Sequence, residues 1–283
     1  MFSWSSKLLR RVEKDRGSAS SIIKYIAGDI QEKASTGSMD RKDWKTLALE
    51  LVEAKPEMAA IFNIANGLLL SLEDDGFNER ISDFMSGLLQ RPDPREAIAR
   101  HIVDDDSIHW VLTNSYSSTV LEILKAMHRR GDFKVTVAES LPMGEGAMFA
   151  EALVSCGIKI EIISDSMVFE WMDKADAFIC GADAVGPTGV FNKMGSRAIA
   201  TAAHLASKKV FVACDSMKIC PVQVKKNVCK REPAAKDVFR STQMFETFPL
   251  ELVTAVVTEN GPVHEEELQK MFQEWELDGR LIS

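Results

Sequence analysis

Aromatic side chains are scarce in this chain, at 7% of residues, and cysteine appears only as five scattered thiols, Cys156, Cys180, Cys214, Cys220 and Cys229. An odd set with no Cys-x-x-Cys pair excludes a disulfide framework or a zinc knuckle as the organising feature. It fits the reduced, mostly buried thiols of a cytoplasmic protein. Positive charge is not in excess either: the net charge is -8. No global field therefore draws in nucleic acid or an anionic membrane, and any anion site has to be built locally. The longest apolar run, MAAIFNIANGLLLSL (58–72), falls short of the ~20 residues that a membrane span needs. It also carries Asn63 and Asn66, so it predicts a buried helix. The N-terminal MFSWSSKLLRRVEKD has no long apolar segment after its charges and does not read as a secretory signal. Dinucleotide (G-x-G-x-x-G), P-loop and Gly-x-Ser-x-Gly patterns are missing, and His101, His109, His128, His204 and His264 show no metal-ligand spacing. Neither a cofactor nor a metal is expected.

What is present is an ordinary globular composition, 46% hydrophobic and 27% charged over 283 residues, enough for one large or two modest domains. Up to residue 103 the pattern is helical throughout. Ile22, Ile23, Ile26 and Ile30 recur at three- and four-residue spacing, as do Trp44, Leu47, Leu49 and Leu51. RPDPR (91–95) interrupts the last helices, and Asp104, Asp105 and Asp106 mark a crossing into something different. From residue 104 onward short apolar runs alternate with helical stretches: IHWVL, FKVTVA, IKIEII, AFIC, KVFVAC and ELVTAVVT, with helices over 117–130, 145–156, 166–173, 196–207 and 263–275. Strand–helix alternation predicts a Rossmann-like α/β domain, a doubly wound and mainly parallel sheet. Ligands in such sheets sit at the carboxyl ends of the strands, near a topological switch point.

The segments after each run are therefore where chemistry is expected. TNSYSS follows the first run and ESLPMGEG the second. After AFIC comes GADAVGPTGVFNKMGS, with Asp183 at the mouth of the sheet, Gly186 and Gly189 in a loop, and Asn192 and Lys193 ahead of a small-residue helix. The free N–H groups and positive dipole end of that helix favour an anion, and a neighbouring lysine suits phosphate. The plainer alternative is a glycine-rich connector with Lys193 merely solvated. In TNSYSS, likewise, Ser115, Ser117 or Ser118 fits either a hydroxyl contact or a simple helix cap. The lysine-rich segment 218–237 has no aromatic to stack a base, so it reads as a solvated loop near the cleft rather than a nucleic-acid surface.

Taken together these segments resemble a known superfamily: methylthioribose-1-phosphate isomerase, ribose-1,5-bisphosphate isomerase and the regulatory alpha, beta and delta subunits of translation initiation factor 2B. GADAVGPTGVFNKMGS is similar to its GAD…NKIGT stretch, VLTNSYSS to T-H-C-N-S, ESLPMGEG to E-T-R-P-x-x-x-G, and FPLELVTAVVTENG to its closing segment. DRGSAS resembles the arginine–glycine motif and AKPEMAAIFNIANGLL the Arg-Pro…Asn segment. The resemblance implies that Asp183 is the counterpart of the isomerases' catalytic aspartate, and that Arg16, Gly17, Glu139, Asn192 and Lys193 contact substrate or phosphate. Lys55 stands where an arginine is usual, keeping the charge without the bidentate fork. Ser115 falls on the catalytic cysteine and Leu141 on an arginine; an aliphatic alcohol is a far weaker acid than a thiol unless a neighbouring base activates it. Two functions follow from the resemblance. One is an isomerase-like protein that binds a phosphorylated pentose or nucleotide-like metabolite and converts aldose to ketose. The other is a non-catalytic regulatory subunit or metabolite sensor working through protein partners. In either case a homodimer or higher oligomer is implied.

Overall fold

A computed structural model describes residues 4–15, 19–73, 75–222, 229–235 and 237–281. Five helices come first: α1 (Trp4–Lys14), α2 (Ala19–Ser35), α3 (Arg41–Ala54), α4 (Ala59–Leu70) and α5 (Phe77–Gln90). Their apolar stripes close on a core that holds Ile22, Ile26, Ile30, Trp44, Leu47, Leu51, Ile61, Ile64 and Leu68. α3 starts at a capping box, with Asp40 accepting from the Asp43 amide at 2.8 Å. α4 is buried almost all round, as its uninterrupted apolar run predicts. The Arg91–Arg95 break ends α5, and Asp93 caps α6 (Pro94–Val103), which has proline in its first turn. Ile98, Ala99 and Ile102 of α6 pack with the sheet and not with the first five helices.

The rest of the chain is the expected α/β unit. β1 (Trp110–Asn114), β2 (Lys134–Ala138), β3 (Ile160–Ile163) and β4 (Ala177–Cys180) are separated by α7 (Ser118–Arg130), α8 (Glu145–Ser155) and the short α9 (Val168–Met172). The expected loop after β4 is a hairpin instead, β5 (Ala184–Gly186) and β6 (Gly189–Lys193), followed by α10 (Ser196–Leu205) and β7 (Lys209–Ala213). β8 (Lys230–Ala235) and β9 (Val238–Thr242) form a separate ribbon, so part of the segment expected as a loop is paired strand. β10 (Phe245–Phe248), β11 (Ala255–Thr258), β12 (Gly261–Val263) and α11 (Glu265–Glu274) complete the order.

The main sheet runs β12-β11-β7-β4-β1-β2-β3, parallel except for the antiparallel β11–β12 pair. β2 and β3 extend it from one side of β1, and β4, β7 and β11 from the other, so the switch point is the crevice between β1 and β4. One face packs Phe178, Ile199 and Val210, the other Val111, Ile123 and Phe149. β5, β6 and β10 make a small antiparallel sheet beyond the carboxyl end of β4. Ala59 and Phe62 of α4 pack there against Ala184, Phe191 and Cys220, and the two halves of the chain meet at this seam. Among the described residues no helix is long and apolar enough to cross a membrane.

Candidate functional site

Polar residues follow the strands at and beside the switch point, Ser115 after β1, Ser140 after β2 and Asp183 after β4. Ser115 follows β1 in a left-handed backbone conformation, φ 59°, and its amide donates to Ser140 Oγ at 2.6 Å. Ser140 follows β2, also left-handed at φ 61°, and its hydroxyl donates to the Ala138 carbonyl at 3.0 Å. The next turn is fixed from outside, because the Asp165 carboxylate accepts the amides of Ser140 and Leu141, both at 2.8 Å. The chain then enters α8, where a Cβ on Gly146 would lie 2.0 Å from the Ala138 carbonyl oxygen. Only glycine lets the helix start press this closely on β2.

That close approach delivers Glu145, the first residue of α8, into the crevice. Its Oε2 accepts the Ser115 hydroxyl at 2.6 Å and its Oε1 accepts the Lys193 amine at 2.9 Å. Lys193, at the end of β6, is 7% exposed and its Nζ also sits 4.4 Å from the centre of the Phe245 ring. Ser115 therefore contacts a carboxylate, and the helix-capping hydroxyl of TNSYSS is that of Ser117, which accepts from the Val120 amide.

Asp183 bridges β4 and β5, anchored by its amide on the Phe191 carbonyl at 2.9 Å. Burial pushes its carboxyl above the usual carboxylate range; Lys218 and Lys193 pull it down, and Glu57 and Glu145 push it further up. Lys218 donates to the Ala182 carbonyl at 2.6 Å, next to Asp183. The fold thus brings Lys193, Lys218, Glu57 and Glu145 within electrostatic reach of Asp183, and Glu145 also bonds Ser115. Three carboxyl groups face two amines, so this cluster alone is not the strongly positive pocket expected from the loop pattern.

The helix-dipole expectation needs correction. The start of α10 is occupied by the protein's own carboxylate: Glu246 Oε1 accepts the amides of Gly195 at 2.6 Å and Arg197 at 3.0 Å. The cause is the β6–β10 pairing, which sets Glu246 opposite Asn192 and carries its side chain over the helix end. Asn192 is buried, and its Nδ2 donates to Ser196 Oγ at 2.9 Å, an acceptor shared with Asn114 Nδ2 at 3.0 Å. It ties the loop together from inside.

Lys55 reaches across the helical half, its amine donating to the Asp15 carbonyl. Arg16 and Gly17 lie outside the described residues. Glu139 is partly exposed; its amide donates to the Ile163 carbonyl and its carbonyl accepts from the Gly146 amide. Leu141 is 55% exposed at the rim, with Met143 beside it at 53%. Cys180 and Cys214 are fully buried, and burial pushes the Cys214 thiol up to about 12 and Cys180 in the same direction. Cys180 therefore points into the sheet, as its place in the apolar run predicts, and no thiol replaces Ser115. Among the described residues no three His, Cys, Asp or Glu side chains are placed to hold a metal ion.

Glu145 and Glu57 are the functional candidates that sequence reasoning missed. A glutamate at the first position of a helix reads as a dipole partner, and nothing in ESLPMGEG signals that it turns inward. Lys218 had a signal only in the lysine-rich segment it opens.

The family model described as the initiation factor 2 subunit family matches residues 18–265. A Pyrococcus abyssi protein named as translation initiation factor eIF-2B subunit 2-like is 31% identical over 224 residues, 77% of this chain and 80% of its own length. Ribose 1,5-bisphosphate isomerase of Archaeoglobus fulgidus is 24% identical over 283 residues, covering 91% of this chain and 90% of its own. Among solved structures, a Pyrococcus horikoshii translation initiation factor eIF-2B superposes with a TM-score of 0.77 at 26% identity, covering 94% of this chain and 98% of that one.

Proposed function

Because the chain belongs to the initiation factor 2 subunit family, we propose that it is an isomerase-like member of it, binding a phosphorylated pentose in the β1–β4 crevice and converting aldose to ketose. The observation that carries the proposal is the grouping of Asp183, whose carboxyl is pushed above the usual carboxylate range by burial, with the amines of Lys193 and Lys218 beyond the carboxyl end of β4. A carboxylic acid that retains its proton above its ordinary range can donate to a sugar oxygen that gains charge in the reaction. In this reading Asp183 is the acid and Ser115 contacts the sugar. Lys193 and Lys218 meet phosphoryl oxygens, and Lys55, Arg16 and Gly17 are assigned to the same anion from the sequence resemblance. Glu139 and Asn192 shape the walls. The reaction is internally redox-neutral, so it calls for no nicotinamide or flavin.

A second reading is a metabolite sensor or regulatory subunit that acts through protein partners, itself included as a homodimer. Its support is that two of the positive groups an anion would use are already matched internally, Lys193 by Glu145 and the start of α10 by Glu246. Purified protein incubated with ribose 1,5-bisphosphate and, separately, with methylthioribose 1-phosphate separates the two. Carbon NMR follows ketose formation, and a thermal shift follows binding. Turnover that Asp183→Asn abolishes supports the isomerase. Binding without turnover supports the sensor, and neither binding nor turnover defeats both.

A further inference from the structure

The substitution of serine for the family cysteine leaves an alcohol without the acidity that proton transfer needs, unless a base sits against it. The structure holds such a base. We infer that Glu145 is the proton acceptor that makes Ser115 competent: the glutamate takes the serine's proton as the serine takes one from C2 of the sugar phosphate. The inference rests on the isomerase reading above and adds to it the missing half of the acid–base pair.

The geometry carries it. The Ser115 hydroxyl has one strong acceptor, Glu145 Oε2 at 2.6 Å, a short hydroxyl–carboxyl hydrogen bond. Glu145's other oxygen is fixed by the Lys193 ammonium at 2.9 Å, which supplies the counter-charge and locks the carboxylate's orientation. Ser115 itself has no torsional slack, since its amide is tied to Ser140 and its backbone is left-handed. Asp183 sits in different surroundings, where burial pushes its carboxyl above the usual carboxylate range. Two carboxyl groups whose surroundings differ in this way divide naturally into a base and an acid.

The proton inventory balances. Ser115 Oγ takes the C2 proton while its own proton passes to Glu145. The C2–H electron pair becomes a C1=C2 bond, the bond from C1 to the ring oxygen breaks with its pair on oxygen, and Asp183 protonates that oxygen. The resulting enol phosphate then takes a proton at C1 from Ser115, which Glu145 replenishes. The C2 hydroxyl returns its proton to Asp183 and leaves a ketone. Both carboxyl groups end as they began, and no oxidant or reductant enters. Glu145 acts through Ser115, so it is a positioning and relay residue and not one that touches the sugar.

The test uses the full chain with the two sugar phosphates named above. Glu145→Gln keeps the side chain's size and removes its basicity. It is expected to lower kcat on the order of 100-fold or more without raising KM, since Lys193 loses its internal counter-ion and faces the phosphate more freely. Glu145→Asp is expected to retain more activity than Glu145→Gln, and added formate to restore part of the rate of Glu145→Ala. If Glu145→Gln keeps kcat within about threefold of the parent while Asp183→Asn is inactive, the relay is wrong and the isomerase reading stands. If kcat falls but KM rises with it and formate restores nothing, Glu145 is only structural and the inference fails. If the parent turns over neither sugar, both ideas fall together. Should Glu145→Gln not fold, the aspartate variant and the formate rescue decide the matter alone.

Discussion

Asp183 shows how much one side chain's surroundings can say. Its carboxyl is raised mainly by burial, so above the ordinary carboxylate value of about 4 the folded protein keeps a proton that the unfolded chain has lost. The folded state binds more protons in that window, and stability falls as pH rises through it. Asparagine has no proton to lose. Asp183→Asn is therefore expected to melt higher than the parent at pH 8 and to gain little at pH 4, which a pair of calorimetric scans checks; an equal gain at both pH values contradicts the buried-acid assignment. The place of Asp183 just beyond the end of β4 was legible in the sequence, because an apolar run marks where a strand ends. Glu145 was not, because its direction is set by a tertiary contact, the press of Gly146 on Ala138, that no local pattern encodes. Ser115 was legible as a position but not as a partner, for the same reason.

At the scale of elements, alternation of apolar runs with helical stretches placed all six of the runs read from it in the main sheet, since a strand buried on both faces writes itself as a continuous apolar run. The β5–β6 hairpin was hidden by its glycines, which suit a loop equally well. Gly189 has φ +125°, and a Cβ there would lie 2.1 Å from the Phe248 carbonyl oxygen on β10. Both the backbone conformation and the space exclude any other residue. Gly189→Ala is expected to cost more than about 2 kcal/mol in urea unfolding and, because the hairpin carries Lys193 and anchors Asp183, to weaken ligand binding as well. A cost near zero would mean the hairpin is not held by β10. The same pairing explains why the helix-dipole expectation failed. A free helix end is a property of an isolated loop, and β10, more than fifty residues further on, brings its own carboxylate to it.

For the whole molecule, the tie between halves is polar as well as apolar. Asn63 of α4 donates to the carbonyls of Met217 at 2.9 Å and Ile219 at 2.8 Å, and Asn66 accepts the Asp278 amide at 2.9 Å. Arg91, at the end of α5, bonds Asp215 at 3.0 Å, Ser216 at 3.1 Å and Glu259, joining the helical half to the carboxyl ends of β7 and β11. Burial alone would raise the Glu259 carboxyl, but hydrogen bonds from Ser216 and the Arg91 charge outweigh it and hold it below the usual range. A depressed carboxylate contributes stability above its ordinary value and loses it as pH falls. Arg91→Ala is expected to cost on the order of 2 kcal/mol at pH 7, a penalty that shrinks below about pH 4; a pH-independent penalty would mean the arginine acts by packing alone. The change from helical to strand–helix periodicity near residue 104 was legible in the sequence, but α6, on its helical side, packs with the sheet. The bonds across the seam were not, because Asn63 and Asn66 look like blemishes in an apolar helix until their distant partners are known.

Neighbouring strands lie about 4.8 Å apart whatever side chains they bear, and Ser115 and Asp183 hang from the two strands that border the crevice. Backbone spacing is thus a ruler that sequence drift leaves untouched. Replacements in the loops beyond those strands therefore change the chemistry presented at the edge of the sheet without rebuilding the strands beneath them.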